Sequence, residues 1–149
     1  MKTKFLLAAT ALVLASLSMA ATASEDASLE ADAAARLFQP VQGKAVIYLI
    51  RDFGDIWVGD VKMTLDGRDM GVTNRNTYMR WEIAPGEHTL ISYTSPPAAL
   101  MLRTEPGGMY YVWQDINQGF LRSPSALRVV DQTTTRSTLT TARLLKSPQ

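Results

Sequence analysis

Two Pro-Gly turns in the second half of the chain constrain its fold more than any other feature. Pro85-Gly86 and Pro106-Gly107 each lie between two runs in which apolar and polar residues alternate. Proline presets the first central residue of a turn, and glycine supplies the positive φ that a type II turn needs at the next position. Alternating runs joined by such turns are typical of antiparallel sheets. The two turns therefore predict an all-β domain, and they name no activity.

The same alternation predicts about eight short strands, of which Lys44–Arg51 is the strongest. Both faces of this segment are apolar, which predicts a central strand that is covered on both sides. Asp66-Gly67 is the strongest hairpin signal in the chain. We predict strands at Lys44–Arg51, Trp57–Leu65, Arg68–Val72, Tyr78–Ile83, His88–Tyr93, Leu100–Thr104, Met109–Gln114 and Ala126–Val130. The predicted fold class is a small antiparallel β-sandwich of about 7–8 strands, with a partly open barrel as the alternative.

Short helices are predicted on either side of these strands. Ser28–Phe38 is rich in alanine and ends before Pro40, which indicates a short helix or a partly ordered lead segment. Thr133–Leu145 has helical spacing and favours a C-terminal helix, although its threonines argue against one. The predicted organisation is a signal peptide at 1–23, a lead segment at 24–43 and a β-sandwich domain at 44–146.

The N-terminus has the pattern of a secretory signal peptide. Lys2 and Lys4 precede the apolar stretch Phe5–Leu17, and Ala21-Thr22-Ala23 offers small residues for cleavage, with Ser18-Met19-Ala20 as the second choice. The apolar stretch is shorter than the ~20 residues that span a bilayer. The chain has no cysteine, so we expect no lipid anchor and no disulfide. These features predict a periplasmic or secreted protein.

The charge balance gives no sign of a polyanionic partner. Removal of the predicted signal peptide, which holds two lysines, leaves 13 Lys and Arg side chains against 14 Asp and Glu. Nothing in this balance points to nucleic acid or to an anionic membrane. Basic side chains are concentrated near the C-terminus. We interpret them as a solvated face, and a docking patch for a partner is the alternative.

The order of the segments resembles a known pattern. It runs through Lys44–Arg51, Leu65–Gly71, Tyr78, Pro85–Leu90 and Pro106–Val112. This order resembles an uncharacterised bacterial family of small exported proteins and lipoproteins, and it is similar to the PEGA-type domains, over residues 36 to 146. The resemblance implies a compact β-sandwich in the cell envelope. It transfers no catalytic residue to this chain.

Few residues suggest chemistry. His88 is the only histidine, and without cysteines it cannot complete a multi-residue zinc site. Its position after a Pro-Gly turn suggests a structural hydrogen bond, with the general base of a hydrolase as an unfavoured alternative. Asp52, Asp55 and Asp60 lack EF-hand spacing, so we interpret them as a polar loop rather than a calcium site. We predict no enzyme activity, no cofactor and no metal.

The tryptophans and tyrosines are interpreted mainly as core residues and cross-strand pairs. Trp57 lies next to a loop, and the adjacent Tyr110 and Tyr111 must point to opposite faces of their strand. Trp57 and Tyr111 are therefore the candidate ligand-binding residues. The predicted function is that of an exported, non-enzymatic envelope interaction or accessory module, whose partner is an envelope protein or a glycan. A carbohydrate- or peptidoglycan-binding module that uses exposed aromatic rings is the alternative.

Overall fold

The computed structural model describes residues 24–52, 54, 59–117, 122 and 124–148, and these residues form two short helices and nine strands. The elements are α1 (Leu29–Ala35), β1 (Ala45–Arg51), β2 (Val61–Leu65), β3 (Arg68–Thr73), β4 (Thr77–Ile83), β5 (Gly86–Ser92), β6 (Ala98–Thr104), β7 (Met109–Ile116), β8 (Ser125–Val130), α2 (Gln132–Thr138) and β9 (Arg143–Leu144). The predicted β-rich chain with flanking helices is confirmed. The strand count exceeds the prediction because β9 forms where the C-terminal helix was expected to continue.

The nine strands form two sheets. The mixed sheet has the order β8-β7-β1-β4-β9, and the antiparallel sheet has the order β3-β2-β5-β6. Every residue of β1 is buried, and β1 is the central strand of the mixed sheet, as predicted. However, β1 pairs in parallel with β7, and β4 pairs in parallel with β9. The prediction of wholly antiparallel pairing is therefore wrong for the mixed sheet, because the chain leaves this sheet and returns to it in the same direction.

The two Pro-Gly turns carry the chain from one sheet to the other. Pro85-Gly86 connects β4 to β5, and Pro106-Gly107 connects β6 to β7. Neither connection is the hairpin expected of neighbouring antiparallel strands, because each pair of flanking strands belongs to different sheets. Gly107 has a φ of 74°, and the Gly108 N–H donates to the Glu105 carbonyl at 3.0 Å, which is the predicted type II turn. Gly86 has a φ of 147° and already belongs to β5, so the first turn is more open.

The Asp66-Gly67 hairpin is confirmed. It joins β2 to β3, which pair antiparallel with Leu65 opposite Arg68. Asp66 and Gly67 have φ values of 51° and 77°. Two positive φ values are what a type I′ turn requires, and the twist of that turn matches the twist of the strands that it joins.

Two clusters of buried side chains stabilise the fold. The aromatic cluster combines residues of the mixed sheet with residues in or beside the two helices: Ala35, Phe38, Val46, Tyr48, Ile50, Tyr78, Tyr111, Trp113, Leu139, Ala142 and Leu144. The aliphatic cluster takes residues from both sheets: Ile47, Leu49, Met63, Leu65, Met70, Met79, Trp81, Leu90, Leu102, Val112 and Leu145. Because β1 alternates between the two clusters, both of its faces are covered.

The lead segment is part of the same packed unit. Ser28 caps α1 by accepting a hydrogen bond from the Ala31 N–H, a common role of serine at the start of a helix. The Tyr48 hydroxyl of β1 donates to the Ala35 carbonyl at 2.6 Å. Asp26 forms an antiparallel bridge with Leu145. These contacts fix α1 against the mixed sheet and bring the two ends of the described chain together.

A buried polar chain lies between strands of the two sheets. The Thr73 hydroxyl of β3 donates to Gln114 Oε1 of β7 at 2.7 Å, and Gln114 Nε2 donates to the Ser92 hydroxyl of β5 at 2.8 Å. Ser125 of β8 donates to Ser92 at 2.9 Å. Gln114 and Ser92 are almost fully buried. Because each of these polar side chains has a partner, this series of hydrogen bonds stabilises the fold and leaves none of their polar groups unpaired for a ligand.

Candidate functional site

The predicted ligand-binding aromatics do not form an exposed platform in the described part of the chain. Tyr111 is 5% exposed, and its ring lies 5.5 Å from the ring of Tyr48 and 6.1 Å from that of Phe38. The prediction that Tyr111 is exposed is wrong, because its side of β7 is the side that the aromatic cluster covers. Trp57, the other predicted residue, lies outside the described residues.

Most other aromatic side chains of the strands are also buried. Tyr48, Tyr78, Trp81 and Trp113 all belong to the two clusters, as the core interpretation predicted. Burial raises the pKa of the Tyr48 hydroxyl, in part offset by the hydrogen bond from Arg80. Tyr110 of β7 is only partly buried, and Tyr93, which directly follows β5, has 46% of its surface exposed. A stacking surface for sugar rings therefore has little support among these residues.

His88 is held by two oxygen acceptors. Its Nδ1 lies 2.7 Å from Asp66 Oδ2, and its Nε2 lies 2.8 Å from the Ala84 carbonyl oxygen. Both ring nitrogens therefore lie within hydrogen-bond distance of an oxygen atom. Burial raises the pKa of Asp66, but the hydrogen bonds from His88 and from the Thr89 N–H outweigh burial and lower it overall. His88 thus links the β2–β3 hairpin to the crossover after β4, which is the structural role predicted for it.

A cleft of about 1080 Å³ opens at the side of the fold where β4 borders the lead segment and the C-terminal tail, residues 146–148. Its apolar lining includes Leu65, Met70 and Trp81, and the small side chains of α1 lie across from β4. The Trp81 Nε1–H donates to the Ser147 hydroxyl at 3.0 Å, so the tail reaches the cleft next to this ring. The cleft is therefore bounded by a strand edge, by a helix and by the end of the chain.

The strand edge in the cleft carries backbone groups that have no partner among the described residues. The β9 strand covers only the first part of β4, where Thr77 pairs with Arg143 and Tyr78 with Leu144. The carbonyl of Tyr78 faces β9, where it accepts from the Leu145 N–H. Because strand residues alternate with a period of two, the N–H and C=O groups of Arg80 and Glu82 face the same edge. That stretch of edge lies open in the cleft.

Charged side chains surround this edge. Four of the residues that line the cleft are lysine or arginine and two are carboxylates; they are Lys44, Arg68, Arg80, Lys146, Asp66 and Glu82. Glu82 forms ion pairs with two cations, Arg80 Nη1 at 2.6 Å and Lys44 Nζ at 4.0 Å. Asp66 is already bound to His88. Lys146 is paired with Glu25, which lies outside the lining, whereas Arg80 and Lys44 share the single carboxylate of Glu82.

Metal-binding clusters and membrane-spanning helices are absent from the described residues. No group of three or more His, Cys, Asp or Glu side chains there has metal-binding geometry. Asp52, one of the three loop aspartates, accepts a hydrogen bond from the Gly54 N–H at 2.9 Å, and Asp55 lies outside the described residues. Neither α1 nor α2 is long and apolar enough to cross a bilayer.

Comparisons with protein-family models, curated proteins and solved structures gave no match to this chain. The candidate site therefore depends on geometry alone. The cleft residues Arg80 and Glu82 were missed as site residues. What the sequence did not show is that β4 has an open edge, because this depends on the order of strands in the mixed sheet.

Proposed function

We propose that the protein is an exported, non-enzymatic β-sandwich that acts in the cell envelope by binding a partner, with the cleft beside β4 as its binding surface. The aliphatic cluster supports the sandwich arrangement, because it draws side chains from the mixed sheet and from the antiparallel sheet. The N-terminal signal pattern supports export, and the resemblance to PEGA-type domains supports an envelope role.

The open edge of β4 inside an apolar cleft is the observation that carries this proposal. Ligand sites in proteins are concave and mostly apolar, with a few polar groups that fix orientation. Leu65, Met70 and Trp81 supply apolar lining, and the backbone of Arg80 and Glu82 supplies the polar groups. His88 has both ring nitrogens engaged, which favours binding over hydrolysis.

A protein partner is favoured over a glycan. Glycan recognition relies on exposed aromatic rings, but most of the strand aromatics are buried. The glycan alternative would depend on Trp57 and on exposed rings such as Tyr93. A protein partner requires only the edge, the apolar lining and the charges that the cleft already has.

Site-specific crosslinking in cells tests the binding surface. The photoreactive residue p-benzoylphenylalanine at position 82 lies in the cleft, whereas at position 87 it lies on an exposed part of β5 outside the cleft. We expect a discrete crosslinked product in the envelope fraction from Glu82 and none from Glu87. Equal labelling at the two positions, or no product from position 82, would contradict the proposal. N-terminal sequencing of the exported protein tests processing, with Ser24 as the expected first residue.

A further inference from the structure

We propose that the partner binds as an extended peptide strand that pairs with the β4 edge at Arg80 and Glu82, and that this peptide alternates apolar and acidic side chains. This inference rests on the proposed function and specifies the chemistry of the partner. Strand addition to an exposed sheet edge is a general mode of peptide recognition, in which backbone hydrogen bonds provide affinity and alternate side chains provide specificity.

The backbone geometry favours an extended peptide. β9 already adds a parallel strand beside Thr77 and Tyr78. Beyond Leu145 the tail makes no backbone hydrogen bond to β4, because the Lys146 N–H donates to the Glu25 carbonyl at 2.7 Å and only the Ser147 side chain contacts β4, through the Trp81 indole. A strand that displaces the tail from this position meets the two N–H and two C=O groups of Arg80 and Glu82. Donors and acceptors at this spacing match a peptide backbone in β conformation.

The two sides of the edge offer different environments to such a peptide. Side chains of a strand alternate between the two faces of its sheet. Trp81 points into the aliphatic cluster, and Met70 and Leu65 line the cleft near it. Arg80 points to the opposite face, where its Nε donates to the Tyr48 hydroxyl at 3.3 Å. An alternating peptide therefore places every second side chain against apolar groups and the others against cationic ones.

The charges of the cleft favour acidic over basic side chains at the peptide positions that face Arg80. Arg80 and Lys44 share the single carboxylate Glu82, and the Lys44 side chain is 54% exposed. A carboxylate of the peptide provides a second anion for this pair of cations, whereas an ammonium group of a peptide is repelled by them. Because these groups are partly exposed, the attraction weakens as ionic strength rises.

Hydrogen exchange measured by NMR tests the inference with two synthetic ten-residue peptides, one alternating valine with glutamate and one alternating valine with lysine. We expect the glutamate peptide to slow exchange of the Arg80 and Glu82 amides by about ten-fold or more, which reports new hydrogen bonds. The lysine peptide should leave both amides unprotected. Protection by both peptides, or binding without protection of these amides, would overturn the inference. Protection in the peptide-free protein that grows with its concentration would instead identify a second copy as the occupant.

A matched pair of variants isolates the backbone contribution. Glu82→Pro removes the outward N–H without touching the ladder to β1, and proline is tolerated at such edge positions. Glu82→Ala removes the same carboxylate and keeps the N–H. We expect the glutamate peptide to bind Glu82→Pro about five-fold more weakly than Glu82→Ala, the effect of one hydrogen bond. Equal affinity for the two variants would contradict strand pairing. If Glu82→Pro fails to fold, the two-peptide comparison on the unaltered protein still decides.

The two proposals fail separately. A crosslinked partner at position 82 together with no protection by the glutamate peptide would leave the cleft as a binding surface and reject the acidic strand. Amide protection by the glutamate peptide together with no crosslinked partner in cells would show a competent edge and reject the envelope role.

Discussion

Replacing Tyr48 with phenylalanine removes one hydroxyl that holds α1 against the mixed sheet. Tyr48 is fully buried, and its hydroxyl donates to the Ala35 carbonyl at 2.6 Å and accepts from Arg80 Nε at 3.3 Å. The ring itself keeps its contacts with Phe38 and Tyr111, so the substitution creates almost no cavity. Any loss of stability therefore reports these hydrogen bonds.

The expected loss lies near the lower end of the range for a buried hydrogen bond. Removing one partner of a buried pair costs ~1–3 kcal/mol. The Ala35 carbonyl keeps a second donor, because the Phe38 N–H lies 3.2 Å from it, and the Arg80 bond is long. We therefore expect Tyr48→Phe to lower the free energy of unfolding by ~1–1.5 kcal/mol, which corresponds to a fall in Tm of roughly 3–6 °C.

Urea unfolding followed by tryptophan fluorescence measures this loss, and native-state hydrogen exchange locates it. The Arg36 amide, which donates to the Asp32 carbonyl in α1, should exchange faster in the variant. Tyr93→Phe is the control, because that side chain is 46% exposed and surface changes usually stay within ~0.5 kcal/mol. If Tyr48→Phe costs no more than Tyr93→Phe, the hydroxyl does not anchor the helix as argued.

Three further changes test other parts of the fold. Gly107→Ala should lower the free energy of unfolding by ~1 kcal/mol, because Gly107 has a φ of 74°. Gly59→Ala is the control and should lower it less, because an added Cβ there meets no neighbour within 4 Å. Equal losses of free energy in urea unfolding would contradict the turn assignment. The pKa of Asp66 is lower in the folded state than in the unfolded state, so its contribution to stability is present above about pH 4 and is lost as the pH falls through the folded pKa. Asp66→Asn should therefore flatten the loss of unfolding free energy between neutral and acidic pH, and an unchanged pH profile would speak against the His88 contact. Gln114→Leu should lower the free energy of unfolding by ~2 kcal/mol, because two buried hydrogen bonds are removed. A free energy of unfolding equal to that of the unaltered protein would show that these hydrogen bonds contribute nothing to stability.

The parts of the fold that could be predicted are those set by local sequence. The continuous apolar run of Lys44–Arg51 predicted a doubly covered strand, and Asp66-Gly67 predicted a hairpin. Each of these signals depends on residues close together in the chain. The sheet to which each strand belongs depends on distant pairings, such as that of β1 with β7. For this reason, the Pro-Gly turns were recognised as turns but not as crossovers.

The candidate site was hidden for a related reason. Alternation established that Tyr110 and Tyr111 face opposite sides of β7, but not how completely each side is covered. The aromatic cluster beside the helices covers the Tyr111 side, while Tyr110 stays half-exposed with its hydroxyl accepting from the Glu105 N–H at 2.8 Å. Likewise, Arg80 and Glu82 form an open edge only because β9 ends after two residues. The position of an edge is a property of the whole sheet rather than of any one strand.

The pairing of Asp26 with Leu145 makes the β4 side of the fold depend on both ends of the described chain. The bridge joins the beginning and the end of the described chain, and β9 completes its ladder to β4 from the same C-terminal segment. Pairing residues so far apart in sequence closes a long loop, which costs conformational entropy. A chain that still lacks its last described residues cannot complete the β4 side of the fold, because Leu144, Leu145 and Ser147 line the cleft. The cleft therefore needs both ends of the described chain to be in place.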